Sequence, residues 1–197
     1  MWPWEHLAFG YLLYSALARA SGRRPRNADA LVLAVTTQLP DLIDKPLAWW
    51  LGILPSGLSL GHSLLFAVPV CLLAFAAGRR TGDAALGVAC SVGYLSHLAG
   101  DAVYPALTGG RVRVSFLWWP LGDQPTVSPP GLFSQFAVFL GQYWAFLGTP
   151  RGRLYAVAEL TLLLLAVAAW VVDGYPGVTT PDRLPHPWRR NRGPEDR

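Results

Sequence analysis

The sequence is short of charge and of cysteine. Charged residues make up 14% of its 197 residues, whereas soluble globular domains carry about 25%. The two cysteines, Cys71 and Cys90, lie inside apolar runs without a Cys-x-x-Cys spacing, which excludes a disulfide framework and a zinc knuckle. Apolar residues supply 52% of the chain, much of it in long runs. This composition predicts an all-α, polytopic transmembrane helix bundle.

Lysine is almost absent as well. Lys45 stands alone, and arginine supplies the rest of the basic charge behind the net charge of +4. The arginines are clustered in short loops beside the apolar runs, and no aromatic–basic recognition motif accompanies them. We therefore expect no nucleic-acid partner and interpret the arginines as determinants of membrane topology.

Five apolar segments predict membrane-spanning helices, at residues 6–20, 29–43, 62–78, 84–104 and 154–172. A sixth segment, 132–148, contains glutamines and many aromatic residues. It predicts an interfacial helix or one packed over the bundle, with a sixth span as the alternative. We assign residues 1–172 to a single transmembrane domain and residues 173–197, which are rich in proline and arginine, to a disordered tail.

The basic loops predict the orientation. Clustered arginines occupy the first and third connections and the tail, whereas the second connection carries only Lys45. Positive loops face the cytoplasm, so we expect a multi-pass protein of the cell (inner) membrane with its N-terminus outside and its C-terminus cytoplasmic. Arg151 and Arg153 disagree with this orientation, because they would lie outside.

Histidines and aspartates stand at the outer ends of the first four predicted spans. His97 and Asp101 are four residues apart and share one helix face. The two aspartates of "PDLID" share a face only if the helix continues through Pro40, a residue type that kinks or restarts helices. The residues expected to meet at one membrane level are His6, Asp41, Asp44, His62, His97 and Asp101.

Such a set can satisfy itself by holding metal. An unpartnered charge costs about 2.5–3.5 kcal/mol at the centre of a span. Imidazole and carboxylate donors without thiolate suit a divalent ion, with zinc as our first expectation and manganese or iron as alternatives. A site of this kind with an open coordination position activates water for hydrolysis. Two simpler interpretations stay open: His97 and Asp101 as a structural hydrogen-bonded pair, and Asp44 as the ion-pair partner of Lys45.

The order of these motifs is also informative. His6, followed by "LPDLIDKP", "GHSLLF", "GYLSHLAGDAVYP" and "WWPLG", resembles the YdjM-type (LexA-regulated) membrane-bound metal-dependent hydrolases over about residues 1–122. The resemblance implies that the six His and Asp residues form a metal-binding set. The order is more distantly similar to zinc-dependent phospholipase C and P1 nuclease, which implies phosphoester substrates, lipid head groups among them.

The sequence thus predicts a membrane-embedded hydrolase that acts on a phosphoester, in free or lipid-linked form, by metal-activated water. Asp41 or Asp44, whichever is not a ligand, is the predicted catalytic base. Membrane lipid and a phosphoester or lipid substrate are the expected partners, and the oligomeric state is open. The alternative is a non-catalytic metal-binding, transport or scaffold protein. A transporter should continue its polar stripe through the bilayer, but Ala, Leu and Val fill the inner halves of the third and fourth segments.

Overall fold

The structure is a computed structural model that describes residues 1–122 and 131–178. Within these ranges the chain is helical and contains no strand, which confirms the all-α prediction. A 3₁₀ turn at Ser115–Trp118 follows the fifth helix. The α-helices are α1 (Pro3–Ala20), α2 (Asn27–Thr36), α3 (Leu39–Trp49), α4 (Leu64–Arg80), α5 (Ala84–Leu107), α6 (Leu132–Leu147) and α7 (Pro150–Val172).

Helix α5 is the centre of the bundle and packs against α1, α2, α3 and α4. Two of its glycines permit close approach of the neighbouring helices. A Cβ on Gly93 would lie 2.2 Å from Thr36 Oγ1, and a Cβ on Gly87 would lie 2.6 Å from Phe75 Cα. Small residues at helix contacts are typical of membrane bundles, where close packing of backbones replaces the hydrophobic effect between helices. The central helix is also the one that carries His97 and Asp101.

Ionisable side chains are buried in this bundle and many large apolar side chains are exposed. In a soluble domain, charged side chains are almost never fully buried. Large apolar side chains face outward: Leu31, Leu73 and Leu164 are each more than half exposed. Such an arrangement suits surroundings of lipid. The buried ionisable residues are Glu5, His6, Asp29, Asp41, Asp44, His62, His97, Asp101 and Asp173.

Helix α7 is the one helix in the described ranges that is long and apolar enough to cross a membrane. It has 23 residues and a mean hydropathy of 2.1 over its most apolar window, of which 11% is buried. The other helices fall short by length or by polarity, so five spans stay a prediction.

The predicted segment 29–43 does not form one helix, because the chain breaks between α2 and α3 at Thr37 and Gln38. Pro40 explains the break: it has no N–H to donate to the carbonyl four residues earlier. Thr36 and Thr37 also hydrogen-bond through their hydroxyls to carbonyls of their own helix, Val32 O at 2.9 Å and Ala34 O at 3.0 Å.

Ion pairs hold the end of the bundle opposite to the His/Asp cluster. Asp173, which opens the predicted tail, is buried and accepts hydrogen bonds from Tyr11, Ser15 and Arg19 at 2.5–2.8 Å. Arg26 pairs with Asp29 at 2.6 Å and with Asp83 at 2.7 Å. The hydrogen bond from Arg26 lowers the pKa of Asp83. The remainder of the predicted tail, residues 179–197, lies outside the described residues.

Helix α6 packs over the bundle against α7 and α3, one of the two placements predicted for segment 132–148. Its aromatic side chains make the contacts: Phe139 meets Trp49 at 5.4 Å between ring centroids, and Tyr143 meets Trp2 at 5.0 Å. None of its residues is buried, and its 16 residues are fewer than the roughly 20 that a span needs.

Candidate metal centre

Four buried side chains bring one donor atom each to a common point. The atoms are Asp41 Oδ1, His62 Nε2, His97 Nε2 and Asp101 Oδ2, and each lies within 4.8 Å of the other three. Helix α3 supplies Asp41, the segment before α4 supplies His62, and α5 supplies His97 and Asp101 one turn apart. Residues that lie far apart in the sequence thus form a single cluster of nitrogen and oxygen donors that could hold a metal ion.

The spacing of the donor atoms fits a small divalent ion. Around an ion with bonds of about 2.0–2.1 Å, tetrahedral ligands are separated by about 3.3 Å. The two imidazole Nε2 atoms are 3.0 Å apart. Asp101 Oδ2 lies 3.3 Å from His62 Nε2 and 3.4 Å from His97 Nε2. Asp41 Oδ1 lies 3.6 Å and 3.8 Å from the same two nitrogens, so it needs only a small inward movement to join such a set.

The other ring nitrogen of His97 fixes its orientation. His97 Nδ1 lies 2.6 Å from the carbonyl oxygen of Thr37. A carbonyl only accepts, so Nδ1–H must be the donor, and in the neutral ring Nε2 carries the lone pair. The Thr37 carbonyl is available because the chain breaks between α2 and α3 at Thr37 and Gln38, just before Pro40 and Asp41. The break between α2 and α3 therefore contributes directly to the site.

Asp44 fixes His62 in the same way. His62 Nδ1 donates to Asp44 Oδ2 at 2.8 Å, which leaves the Nε2 lone pair directed at the other donors. Asp44 is fully buried and also accepts the backbone N–H groups of Ser59 and Gly61, both at 2.7 Å, and that of His62 at 3.3 Å. A carboxylate behind a metal-facing histidine is a common second layer of metal sites.

Gly61 is required for this close wrapping of the loop around Asp44. A Cβ at position 61 would lie 2.9 Å from the carbonyl oxygen of Pro40 and 3.3 Å from Asp44 Oδ1. The hydroxyl of Tyr94, a buried residue on α5, donates to the Gly61 carbonyl at 2.6 Å. The loop before α4 is thus held from both sides, which places His62 accurately.

Asp41 and Asp44 have different environments, which the sequence could not distinguish. Lys45 pairs with Asp41 Oδ2 at 2.5 Å, so the suggested ion pair of Lys45 with Asp44 does not form. Asp41 Oδ1 is buried and has no hydrogen-bond partner among the described residues. One oxygen of Asp41 is therefore neutralised by lysine, and the other faces the histidines without a donor.

His6 packs against the ring of His97 and is not one of the four residues of the donor cluster. The two rings stack at 3.7 Å between centroids, and His6 is fully buried. Its Nε2 is 3.2 Å from Asp101 Oδ1, but the geometry is not that of a hydrogen bond, and both ring nitrogens lack a partner among the described residues. The amino group of Met1 contacts the same carboxylate oxygen at 2.5 Å.

The segment that follows α5 packs against His62 and covers this part of the cluster. Phe116 is fully buried and meets His62 edge-on at 5.9 Å between ring centroids. Ser63 donates to the carbonyl oxygen of Trp119 at 2.5 Å, and its oxygen accepts from Leu65 N at 3.2 Å. Ser63 is therefore the N-cap of α4 and links the "GHS" and "WWP" motifs.

The structure thus brings all six predicted His and Asp residues together, with four in the donor cluster and with Asp44 and His6 directly behind it. The Thr37 carbonyl, the Ser59 and Gly61 amides and the Tyr94 hydroxyl were not predicted. Pro40 and Gly61, which mark a helix break and a close backbone approach, are the signals in the sequence that point to them.

Comparison with known proteins agrees with this picture. The family model of the YdjM inner membrane protein matches residues 1–176. No curated protein matches the chain, and no solved structure matches it. The matched range includes every helix described above and the complete His/Asp cluster. The chain belongs to the YdjM inner membrane protein family.

Proposed function

We propose that this protein is a membrane-embedded, divalent-metal-dependent hydrolase of phosphoesters. One observation carries the proposal: with both imidazoles neutral, four buried acceptor atoms converge, and no other side chain of the described residues places a hydrogen-bond donor between them. The partners of both Nδ1 atoms direct the Nε2 lone pairs of His62 and His97 toward each other at 3.0 Å. Asp41 Oδ1 adds a third acceptor, for which the described part of the chain supplies no donor. A cation at this point would satisfy them all.

In this proposal Asp41, His62, His97 and Asp101 hold the ion. When bound, the ion would polarise a phosphoryl oxygen and lower the pKa of water. Asp44 acts as a positioning residue, because four hydrogen bonds already occupy its two oxygens. These four hydrogen bonds argue against Asp44 as the catalytic base, whereas Asp41 Oδ1 accepts none among the described residues and faces the donor cluster.

The number of protein donors restricts the choice of metal. Four donors complete the shell of a four-coordinate ion, so hydrolysis requires a fifth or sixth position for water or substrate. Zinc expands to five-coordinate in catalytic sites, and manganese favours six oxygen-rich ligands. We propose zinc as the first metal to test, with manganese and iron next.

His6 is a further histidine beside the site that could bind metal. Both of its ring nitrogens lack a hydrogen-bond partner among the described residues, and Nε2 lies 3.2 Å from Asp101 Oδ1, the oxygen of Asp101 that is not part of the four-atom cluster. We assign His6 to the wider metal-binding set, as a ligand for an additional ion that Asp101 would share.

The membrane setting belongs to the same proposal. Family membership and the apolar exterior support a location in the inner membrane. We propose five spans, made by α1, the α2–α3 pair, α4, α5 and α7, with the N-terminus and the metal centre at the outer side and the C-terminus in the cytoplasm.

The test compares two aspartates that differ in whether they face the donor cluster. Asp41 and Asp29 are both buried, both lie in the first turn of a helix, and both pair with a basic side chain. We expect detergent-purified wild type and Asp29→Asn to contain stoichiometric metal by plasma mass spectrometry and to hydrolyse a phosphoester. Asp41→Asn should lose at least 10-fold in metal affinity and lose turnover. Wild-type protein that takes up no metal after reloading would refute the proposal.

A non-catalytic metal-binding protein is the second candidate, because four protein donors resemble a closed structural site. The same experiment separates the two. Stoichiometric metal without turnover of any phosphoester, together with loss of stability when the metal is removed, would favour the structural role.

A further inference from the structure

A groove opens on the surface of the bundle beside the candidate metal centre, with a volume of about 320 Å³. One wall is a stripe of α7 made by Leu154, Ala158 and Leu162, and Leu107 at the end of α5 also lines it. Residues four apart share a helix face, so the stripe extends for about 12 Å. The groove is therefore an elongated apolar slot whose length suits a hydrocarbon chain.

The inner end of the groove reaches the metal centre. Met1 lines the groove, and its amino group lies 2.5 Å from Asp101 Oδ1. Tyr155 also lines it and packs edge-on against Tyr104 at 5.9 Å between ring centroids. Tyr104 is one helical turn beyond Asp101 on α5. A molecule whose chain lies in the groove would therefore place its head group beside the donor cluster.

Two carboxylates line the groove, Glu5 and Glu159, but neither needs a further partner. Each already accepts two hydrogen bonds from aromatic residues or their backbone. The donors are the Trp4 indole and the Tyr143 hydroxyl for Glu159, both at 2.6 Å, and the Trp2 amide at 2.6 Å and the Tyr155 hydroxyl for Glu5.

Arg151 is the cation of the groove, and it has no carboxylate partner within residues 1–122 and 131–178. Its guanidinium lies over Gly109, with Nη1 only 2.8 Å from the position that a Cβ would take. A guanidinium binds phosphate oxygens through paired, charge-assisted hydrogen bonds. The groove, which reaches the metal centre at Met1, thus combines an apolar slot with one phosphate-binding group that has no carboxylate partner among the described residues.

From this combination, and resting on the proposed hydrolase function, we propose that the groove binds the hydrocarbon chain of a lipid phosphoester. Arg151 binds the phosphate and presents the ester to the metal centre. Lipid tails in the bilayer are as apolar as the groove, so the slot selects by shape and position, and Arg151 provides the recognition of charge.

Ala158→Trp fills the slot on the exposed face of α7, and Ala168→Trp adds the same side chain to an exposed position of α7 outside the groove. Arg151→Gln removes the phosphate-binding cation, and Arg153→Gln removes the neighbouring one. Binding is measured in detergent with fluorescent phosphatidic acid, beside fluorescent diacylglycerol of the same chain length. Turnover is measured with phosphatidic acid and with the water-soluble ester p-nitrophenyl phosphate.

We expect wild type to prefer phosphatidic acid over diacylglycerol, and Ala158→Trp and Arg151→Gln to weaken its binding about 10-fold or more. The two control variants should bind like wild type. Ala158→Trp should keep its metal, and Ala168→Trp should keep its metal and its turnover of p-nitrophenyl phosphate within about two-fold of wild type. Equal binding by Ala158→Trp and Ala168→Trp, or no preference for the phosphate in wild type, would overturn the groove proposal. Phosphate-selective lipid binding without turnover would refute the hydrolase and leave the lipid site standing.

Discussion

Replacement of Asp44 by asparagine tests whether its carboxylate orients a metal ligand. Asparagine has nearly the same shape but only one acceptor oxygen, whereas Asp44 uses both oxygens to accept the Gly61 and Ser59 amides and the His62 ring. At least one buried N–H group would then face the amide NH₂. We expect a cost of about 2–4 kcal/mol in stability, since hydrogen bonds to charged groups contribute about 1.5–3 kcal/mol and an unsatisfied donor adds its own penalty.

Metal affinity should fall together with stability. With Asp44→Asn, the asparagine can present either oxygen or NH₂ to His62 Nδ1, so the tautomer that directs Nε2 at the ion is no longer enforced. Loss of a partner behind a metal-binding histidine typically lowers affinity by about 10–100-fold. Competition with a chromogenic chelator measures the affinity, and thermal unfolding in the same detergent measures the stability.

Asp173→Asn is the control that separates these two effects. Asp173 is also buried and also accepts several hydrogen bonds, but from Tyr11, Ser15 and Arg19 at the opposite end of the bundle. We expect this variant to unfold at lower temperature and to bind metal like wild type. An equal loss of affinity in both variants, or wild-type affinity in Asp44→Asn, would refute the assigned role of Asp44.

Two further predictions concern packing and pH. Gly93→Ala should destabilise the bundle and lower its metal affinity, because the new Cβ would lie 2.2 Å from Thr36 Oγ1. At Gly141 a new Cβ would meet no atom of the described residues within 4 Å, so Gly141→Ala should be neutral or slightly stabilising. Because Arg26 lowers the pKa of Asp83, their ion pair stabilises the fold above the ordinary carboxyl range near pH 4 and is lost as the pH falls through the lowered value. Thermal unfolding of wild type and Asp83→Asn between about pH 2 and pH 7 measures this, and a constant difference over that range would contradict it.

Residue spacing within helices was the most informative feature of the sequence. His97 and Asp101 share a helix face, and α5 brings both into the cluster as predicted. Four of the five apolar segments correspond to α1, α4, α5 and α7. Periodicity and composition fix such features locally, and the surrounding fold does not alter them.

The different roles of Asp41 and Asp44 could not be predicted, because they depend on tertiary contacts. Both aspartates lie on α3, three residues apart, and both are buried. The loop that returns from α3 to α4 supplies three backbone amides to Asp44 and, among the described residues, none to Asp41. Likewise, the Thr37 carbonyl becomes an acceptor for His97 only because the helix breaks and α5 packs against the break. Pro40 and Gly61 mark where the backbone breaks or comes close to a neighbour, but they do not show which side chain a freed backbone group will meet.

The directions of the hydrogen bonds around neutral imidazole rings favour a metal centre over a purely structural histidine–aspartate cluster. In a structural cluster, a donor should face each acceptor, because an unmet buried polar atom is costly. Here the partners of both Nδ1 atoms are acceptors, so each neutral ring uses its one N–H away from the centre. The Nε2 lone pairs and Asp41 Oδ1 then point at one another, an arrangement that is unfavourable until positive charge lies between them. Lys45 cannot supply that charge, because its ammonium group pairs with the other oxygen of Asp41. A proton on one Nε2 satisfies only the acceptor nearest to it, whereas a bound metal ion contacts all four donor atoms at once, so the metal ion explains their convergence better.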